Sequence, residues 1–285
     1  MAYAVPSTAS TTWTGAASVV ITKPTGLAVG DLMVAVIASI ATEVDGFGSW
    51  TQRGQSSNSS AGVTLFEKIA DAGDVAASNF TFTATGASEM AGAIIRATGN
   101  IPAPFDFGDG EEDNNNTPDI TQPVFSLSDT PDFNGSLLVM GLMAHGTDGV
   151  GTMSSYAING TNPTWNEVCD FTKDVGSFDP IFGVAYAIQT TAAQITTFYA
   201  DSSVAKDDWS GVFASYIPII SQSVSPAVLS VSTSVQAPAV SAGAAVSPAV
   251  IGATATVQAP VVSTAASKWQ NTDKNTSTWT NNDKS

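Results

Sequence analysis

The chain has 285 residues, of which 43% are hydrophobic and only 12% charged, with 25 acidic residues against nine basic ones and a net charge of −16. That length allows one large β domain or two small ones and a sizeable core. Nucleic-acid binding depends on neutralising phosphates with Lys and Arg, so that class is excluded, and a single cysteine, Cys169, excludes an intrachain disulfide.

In chain order, the start Met1-Ala-Tyr-Ala-Val-Pro has no basic and no apolar segment, so no signal peptide is expected. Val19-Val-Ile-Thr is a short β-branched strand. Asp31-Leu-Met-Val-Ala-Val-Ile-Ala is a continuous apolar run behind Gly30. Its length and the flanking glycine favour a strand buried on both faces over a helix. Val63-Thr-Leu-Phe-Glu-Lys-Ile-Ala and Phe80-Thr-Phe-Thr-Ala-Thr alternate with a period of two, and Gly92-Ala-Ile-Ile-Arg-Ala-Thr-Gly closes a first half.

The second half echoes this order. Gly135-Ser-Leu-Leu-Val-Met-Gly-Leu stands where Gly30-Asp-Leu-Met-Val-Ala-Val-Ile stood, and Thr164-Trp165-Asn where Ser49-Trp50-Thr stood. Phe182-Gly-Val-Ala-Tyr-Ala-Ile follows Leu65-Phe-Glu-Lys-Ile-Ala, Ile195-Thr-Thr-Phe-Tyr-Ala follows Phe80-Thr-Phe-Thr, and Trp209-Ser-Gly-Val-Phe-Ala-Ser-Tyr follows Met90-Ala-Gly-Ala-Ile-Ile-Arg-Ala. The offset drifts from 105 to 119 residues, which places insertions in loops. The expected fold is all-β: a jelly-roll-like β-sandwich over residues 1–219, built from related halves at about 1–104 and 118–219 with about four strands each. Two small tandem sandwiches are the alternative; one domain is preferred because four strands alone bury little. No run of about 18 apolar residues occurs, so no membrane insertion is expected.

Composition changes at residue 220. Residues 220–267 hold no charge and no aromatic ring, and repeat with a period of 22: Val224-Ser-Pro-Ala-Val228 recurs as Val246-Ser-Pro-Ala-Val250, and Val235-Gln-Ala-Pro-Ala-Val240 as Val257-Gln-Ala-Pro-Val-Val262. No single unit can bury its valines, and the regular prolines exclude a long helix or a central strand ladder. An extended repetitive β/coil stalk is expected, either a tether or short strands covering one another in a homotrimer. In residues 268–285, Trp269-Gln-Asn-Thr-Asp-Lys recurs as Trp279-Thr-Asn-Asn-Asp-Lys. Exposed Trp calls for a cover, so Trp269 and Trp279 are expected to dock into a neighbouring subunit.

The series Gly30-Asp-Leu-Met-Val-Ala, Trp50-Thr-Gln, Leu65-Phe-Glu-Lys-Ile-Ala, Phe80-Thr-Phe-Thr and Ala91-Gly-Ala-Ile-Ile-Arg resembles a β-sandwich module of tailed-phage virion proteins. The Val/Pro repeats and the Trp-x-Asn-x-x-Lys tail resemble segments at the ends of such proteins. The resemblance implies a structural protein on the virion exterior, as a head decoration or fibre, or as a tail component, assembled in the host cytoplasm. Its partners would be its own copies and capsid or tail subunits. The alternative is a tail-associated receptor-binding protein that holds host-surface carbohydrate on its loops.

Little reads as catalytic. His145 lies in Ala-His-Gly-Thr-Asp148 near Ser154 and Ser155, without a nucleophile-elbow motif. Cys169 reads as a buried, inert thiol. Asp207-Asp208-Trp209 is a fragment conceivable in a sugar site, but adjacent strand residues face opposite ways. The richest polar cluster runs from Asp106 through Asp109 and Glu111 to Asp113. Read as a solvated inter-half loop, it offers oxygens to Ca2+, without the spacing of an EF-hand. No enzyme activity is expected.

Overall fold

The computed structural model describes residues 3–40, 43–57, 62–98, 100–113, 121–146, 149–159, 163–174, 179–206 and 208–218, all within the first of two compact units, Met1–Ser221 and Gln222–Ser285. The first half consists of β1 (Ala4–Thr11), β2 (Ser18–Thr22), β3 (Leu32–Ser39), β4 (Thr51–Ser57), β5 (Gly62–Ile69), the one-turn helix α1 (Ala72–Ala76), β6 (Asn79–Thr83) and β7 (Met90–Thr98). The second consists of β8 (Asn100–Asp113), β9 (Val124–Asp129), β10 (Ser136–His145), β11 (Met153–Ile158), β12 (Trp165–Thr172), β13 (Ile181–Gln189), β14 (Ile195–Ser202) and β15 (Asp208–Pro218). The all-β class is as expected.

Among the described residues there are four antiparallel sheets. Two have five strands, β1-β7-β3-β5-β4 and β8-β15-β10-β13-β12, and two are small, β2-β6 and β9-β14-β11. The large sheets share one strand order once β8 is matched to β1, β15 to β7, β10 to β3, β13 to β5 and β12 to β4. Registers repeat too. Ala35 lies opposite Phe66 and Ile94, and the sequence offsets of 105 and 119 carry that triplet onto Met140, Ala185 and Phe213. Even the bulges coincide: Arg53 in β4 and Val168 in β12 are each the unpaired extra residue.

Layering follows from the apolar pattern. β3 and β10 are buried along their whole length because each has a sheet on both faces. Leu32, Val34, Val36, Val63, Leu65 and Ile95 meet Leu137, Val139, Val184 and Val212 between the large sheets. Val19, Ile21, Phe66 and Phe82 fill the space under β2-β6, and Phe125, Leu138, Phe198 and Phe213 that under β9-β14-β11. Each of these side chains contributes about 1.5–3 kcal/mol of burial.

Strand β4 packs on β8, and its counterpart β12 packs on β1, so exchanging the halves returns the same arrangement. β3 and β10 cross near that local two-fold axis. Val36 and Gly141 occupy equivalent positions there, and a Cβ on Gly141 would lie 2.2 Å from Val36 Cγ1. One valine fits on the axis; two would collide.

The acidic stretch corrects one expectation. Asp106, Asp109, Glu111 and Asp113 belong to β8, a 14-residue edge strand paired with β15, and not to a loop. The start of the second half accordingly moves back from about residue 118 to Asn100. Pairing with β15 and the burial of Phe107 outweigh the local Gly/Asp composition. Each half also holds seven or eight strands rather than about four. The Ser/Thr-rich β1 lacks the apolar alternation that marks a strand.

Candidate functional site

An open concavity lies where edge strands β4 and β8 meet. Their backbones touch there because glycines remove the side chains between them. A Cβ on Gly54 would lie 2.9 Å from the Asp109 carbonyl oxygen, and one on Gly110 only 2.1 Å from that of Gln55. The resulting open cleft is lined by Glu43, Gln55, Ser56, Ser57 and Gly110. Ser57 Oγ donates to Glu43 Oε1 at 3.0 Å, and the Gln52 side-chain amide donates to Gln55 Oε1. Hydroxyl, amide and carboxylate groups of this kind hydrogen-bond a neutral polar ligand. Among the described residues the lining holds no histidine, cysteine or lysine that would pair with a serine for nucleophilic chemistry.

Behind the cleft, between the large sheets, Arg53 forms an ion pair with Glu67 through Nη2 and Oε1, and its guanidinium lies 4.2 Å from the centre of the Phe105 ring. Tyr216 is fully buried beside them, and its hydroxyl is held in the neutral form by burial first and by Glu67 second. Tyr3 spans the halves by donating to the Ile217 carbonyl at 2.8 Å. This cluster ties the two halves together.

The acidic positions are used structurally where their side chains are described. Asp106 Oδ2 accepts from the Asp132 amide at 3.0 Å, and Asp109 Oδ1 accepts from the Gly110 amide at 2.8 Å. The backbones of Glu111 and Asp113 pair with Gly211 and Trp209. Among the described residues no group of three His, Cys, Asp or Glu side chains is placed to hold a metal ion.

His145 and Asp208 face each other across β10 and β15, with Nδ1 3.7 Å from Oδ2. Ser154 and Ser155 lie on β11; Asp148 and Asp207 lie outside the described residues. Trp209 is wholly buried, with its indole N–H 3.3 Å from the Lys206 carbonyl, so it offers no face to a sugar ring. Cys169 is buried, and burial pushes its thiol pKa up, which leaves it unreactive. Val224, Val228, Val235, Val240, Val246, Val250, Val257, Val262, Trp269 and Trp279 lie outside the described residues.

Two features had no sequence signal. Lys206 is fully buried and donates to the carbonyls of Gly149 at 2.7 Å and Asp179 at 2.9 Å, which ties two loops together. In addition, all six cations of residues 1–221 are engaged internally. Arg53 holds Glu67, Lys68 holds Asp74 at 2.6 Å, Arg96 holds Asp31 at 2.7 Å, Lys173 holds Glu89 at 2.6 Å, and Lys23 and Lys206 hold carbonyls. The remaining acids of this unit give it a strongly negative field.

No protein-family model, curated protein or solved structure matches this chain.

Proposed function

We propose that this protein is a non-enzymatic structural component of a tailed-phage virion, carried on the particle exterior as a head decoration or fibre. The observation that carries the reading is the junction of two unlike segments in one chain. A doubled β-sandwich, with its cations engaged internally, leads after Pro218 into 48 uncharged residues whose valines have no large side chain of their own to pack against. Such valines call for neighbouring copies, and a homotrimer satisfies three of them around an axis. The Trp/Lys tail then serves as an anchor to a neighbouring subunit or to capsid or tail proteins.

Localisation on the particle tests this. Gold-labelled antibody to the full chain, viewed by electron microscopy, is expected to decorate the virion surface. Label absent from purified virions overturns the reading. The β4–β8 cleft supports a second reading, a tail-associated receptor-binding protein for host-surface glycan, because its Gln55, Ser56 and Ser57 lining suits neutral hydroxylated ligands. Label confined to the tail tip, with saturable glycan binding, would favour it.

A further inference from the structure

Among the described residues the second half has one strand that the first lacks. β11 runs along β14, where the first half has only a bridge between Gly46 and Thr83. Room for β11 comes from Gly183 in β13: a Cβ there would lie 2.1 Å from the Tyr156 hydroxyl and 3.1 Å from Met153 Cβ. The equivalent position in the first half is Thr64 in β5.

Gly183 is paired across strands with Asp170, and paired residues present their side chains on one face about 5 Å apart. The Tyr156 hydroxyl therefore sits beside the Asp170 carboxyl. Tyr156 is buried and Asp170 half-buried, and neither Tyr156 Oη nor Asp170 Oδ1 has a hydrogen-bond partner among the described residues. A donor and an acceptor lie side by side, unjoined, on two different strands. β11 is itself irregular here: its register shifts between Ser154 and Ala157, and Ser155 is held at φ 54°, the left-handed region that a serine rarely occupies.

The groups around Asp170 are few. From β11 come the Met153 amide, which hydrogen-bonds its charged form, and the Tyr156 hydroxyl. Glu167 and Cys169 share its strand, and Glu167 repels a second negative charge. Lys173, three residues further on, is held by Glu89, which immediately precedes β7. Among the described residues no cation is left to offset the half-buried carboxylate.

We propose that Asp170 is a proton-operated latch for β11: with the carboxyl neutral the strand seats on Gly183 through Tyr156 and Met153, and with it ionised the strand loosens. Burial, aided by Glu167, raises the Asp170 carboxyl to about 6. The sign follows from that direction. The folded state takes up this proton more readily than the unfolded chain, so the penalty is present above about pH 6 and is relieved as the pH falls through that value toward 3.8.

Amide hydrogen exchange on the full chain reads this directly. The protection of the β11 amides is compared with that of Asp45 and Gly46, which hold the equivalent edge in the first half by donating to the Thr83 carbonyl. From pH 7.5 to 5.0 this ratio is expected to rise roughly three- to tenfold, below the roughly hundredfold that two pKa units would give a fully buried group. Asp170→Asn should hold the high ratio at both pH values. Asp170→Gln, which copies Gln55 at the equivalent place in the first half, should do the same and gives a second route should the asparagine variant fold poorly. A ratio that does not change with pH in the native chain, or one that changes equally in a folded variant, overturns the latch.

Discussion

The two halves present the same strand order and register with different chemistry at matching positions, and the differences fall on the surfaces where the halves meet. At the β4–β8 seam, Gly54 and Gly110 bring backbone against backbone. At the equivalent seam, β12 carries Cys169 where β4 has Gly54, and β1 carries Ser10 where β8 has Gly110. The space there is filled by Trp13, which packs edge-on to Phe182 at 6.3 Å and donates to the Phe171 carbonyl at 3.3 Å. Arg53 and Glu67 on one side correspond to Val168 and Tyr186 on the other. A doubled fold is thus held together by unequal contacts, since a position on a two-fold axis meets itself and cannot carry two large side chains.

Three substitutions break this comparison at different depths, and urea unfolding measures each. Gly110→Ala pushes a methyl into the Gln55 backbone and is expected to cost about 3 kcal/mol, whereas Ser10→Ala at the matching exposed position should stay within about 0.5 kcal/mol. Equal effects would mean that the seams are not different in kind. Arg53→Val alone leaves the buried Glu67 carboxylate without its partner and is expected to cost about 2 kcal/mol, allowing for the partly exposed guanidinium. Adding Glu67→Tyr imports the pair found in the second half and should recover most of that loss. A double variant as weak as the single would break the equivalence of the two pairs.

The smallest effect is expected on the axis. Gly141→Ala forces a Cβ against Val36 Cγ1 and should cost about 1.5 kcal/mol. With Val36→Ala also in place, the new Cβ meets only the Val36 Cβ position at 3.4 Å and Val212 Cγ2 at 3.2 Å. The double variant should therefore be more stable than the two separate losses predict, and strict additivity would remove Val36 and Gly141 from the axis.

Much of the plan was legible in the chain. The apolar runs Leu32–Ala38 and Leu137–Ala144 read as fully buried strands because a strand that is apolar on both faces needs a sheet on each. The internal repeat was visible because both halves keep Trp50 and Trp165, and Met90 and Trp209, in the same order. The polar edge strands β1 and β8 were not, because their hydrogen bonds come from β7 and β15, more than 80 residues away in the chain. The cleft was missed for a similar reason. Glu43, Gln55 and Gly110 carry no shared spacing, and they line one surface only once the two edges meet.

The sequence by itself determined the β character, the duplication, the negative charge and the uncharged Val/Pro segment, since each is a property of composition or periodicity along one chain. Tertiary structure alone decided that the halves pack through their large sheets, that Gly141 receives Val36, and that Tyr156 lies over Gly183 beside Asp170. Those are contacts between strands whose pairing is fixed by burial and register, and no local pattern of residues records which distant face will cover them.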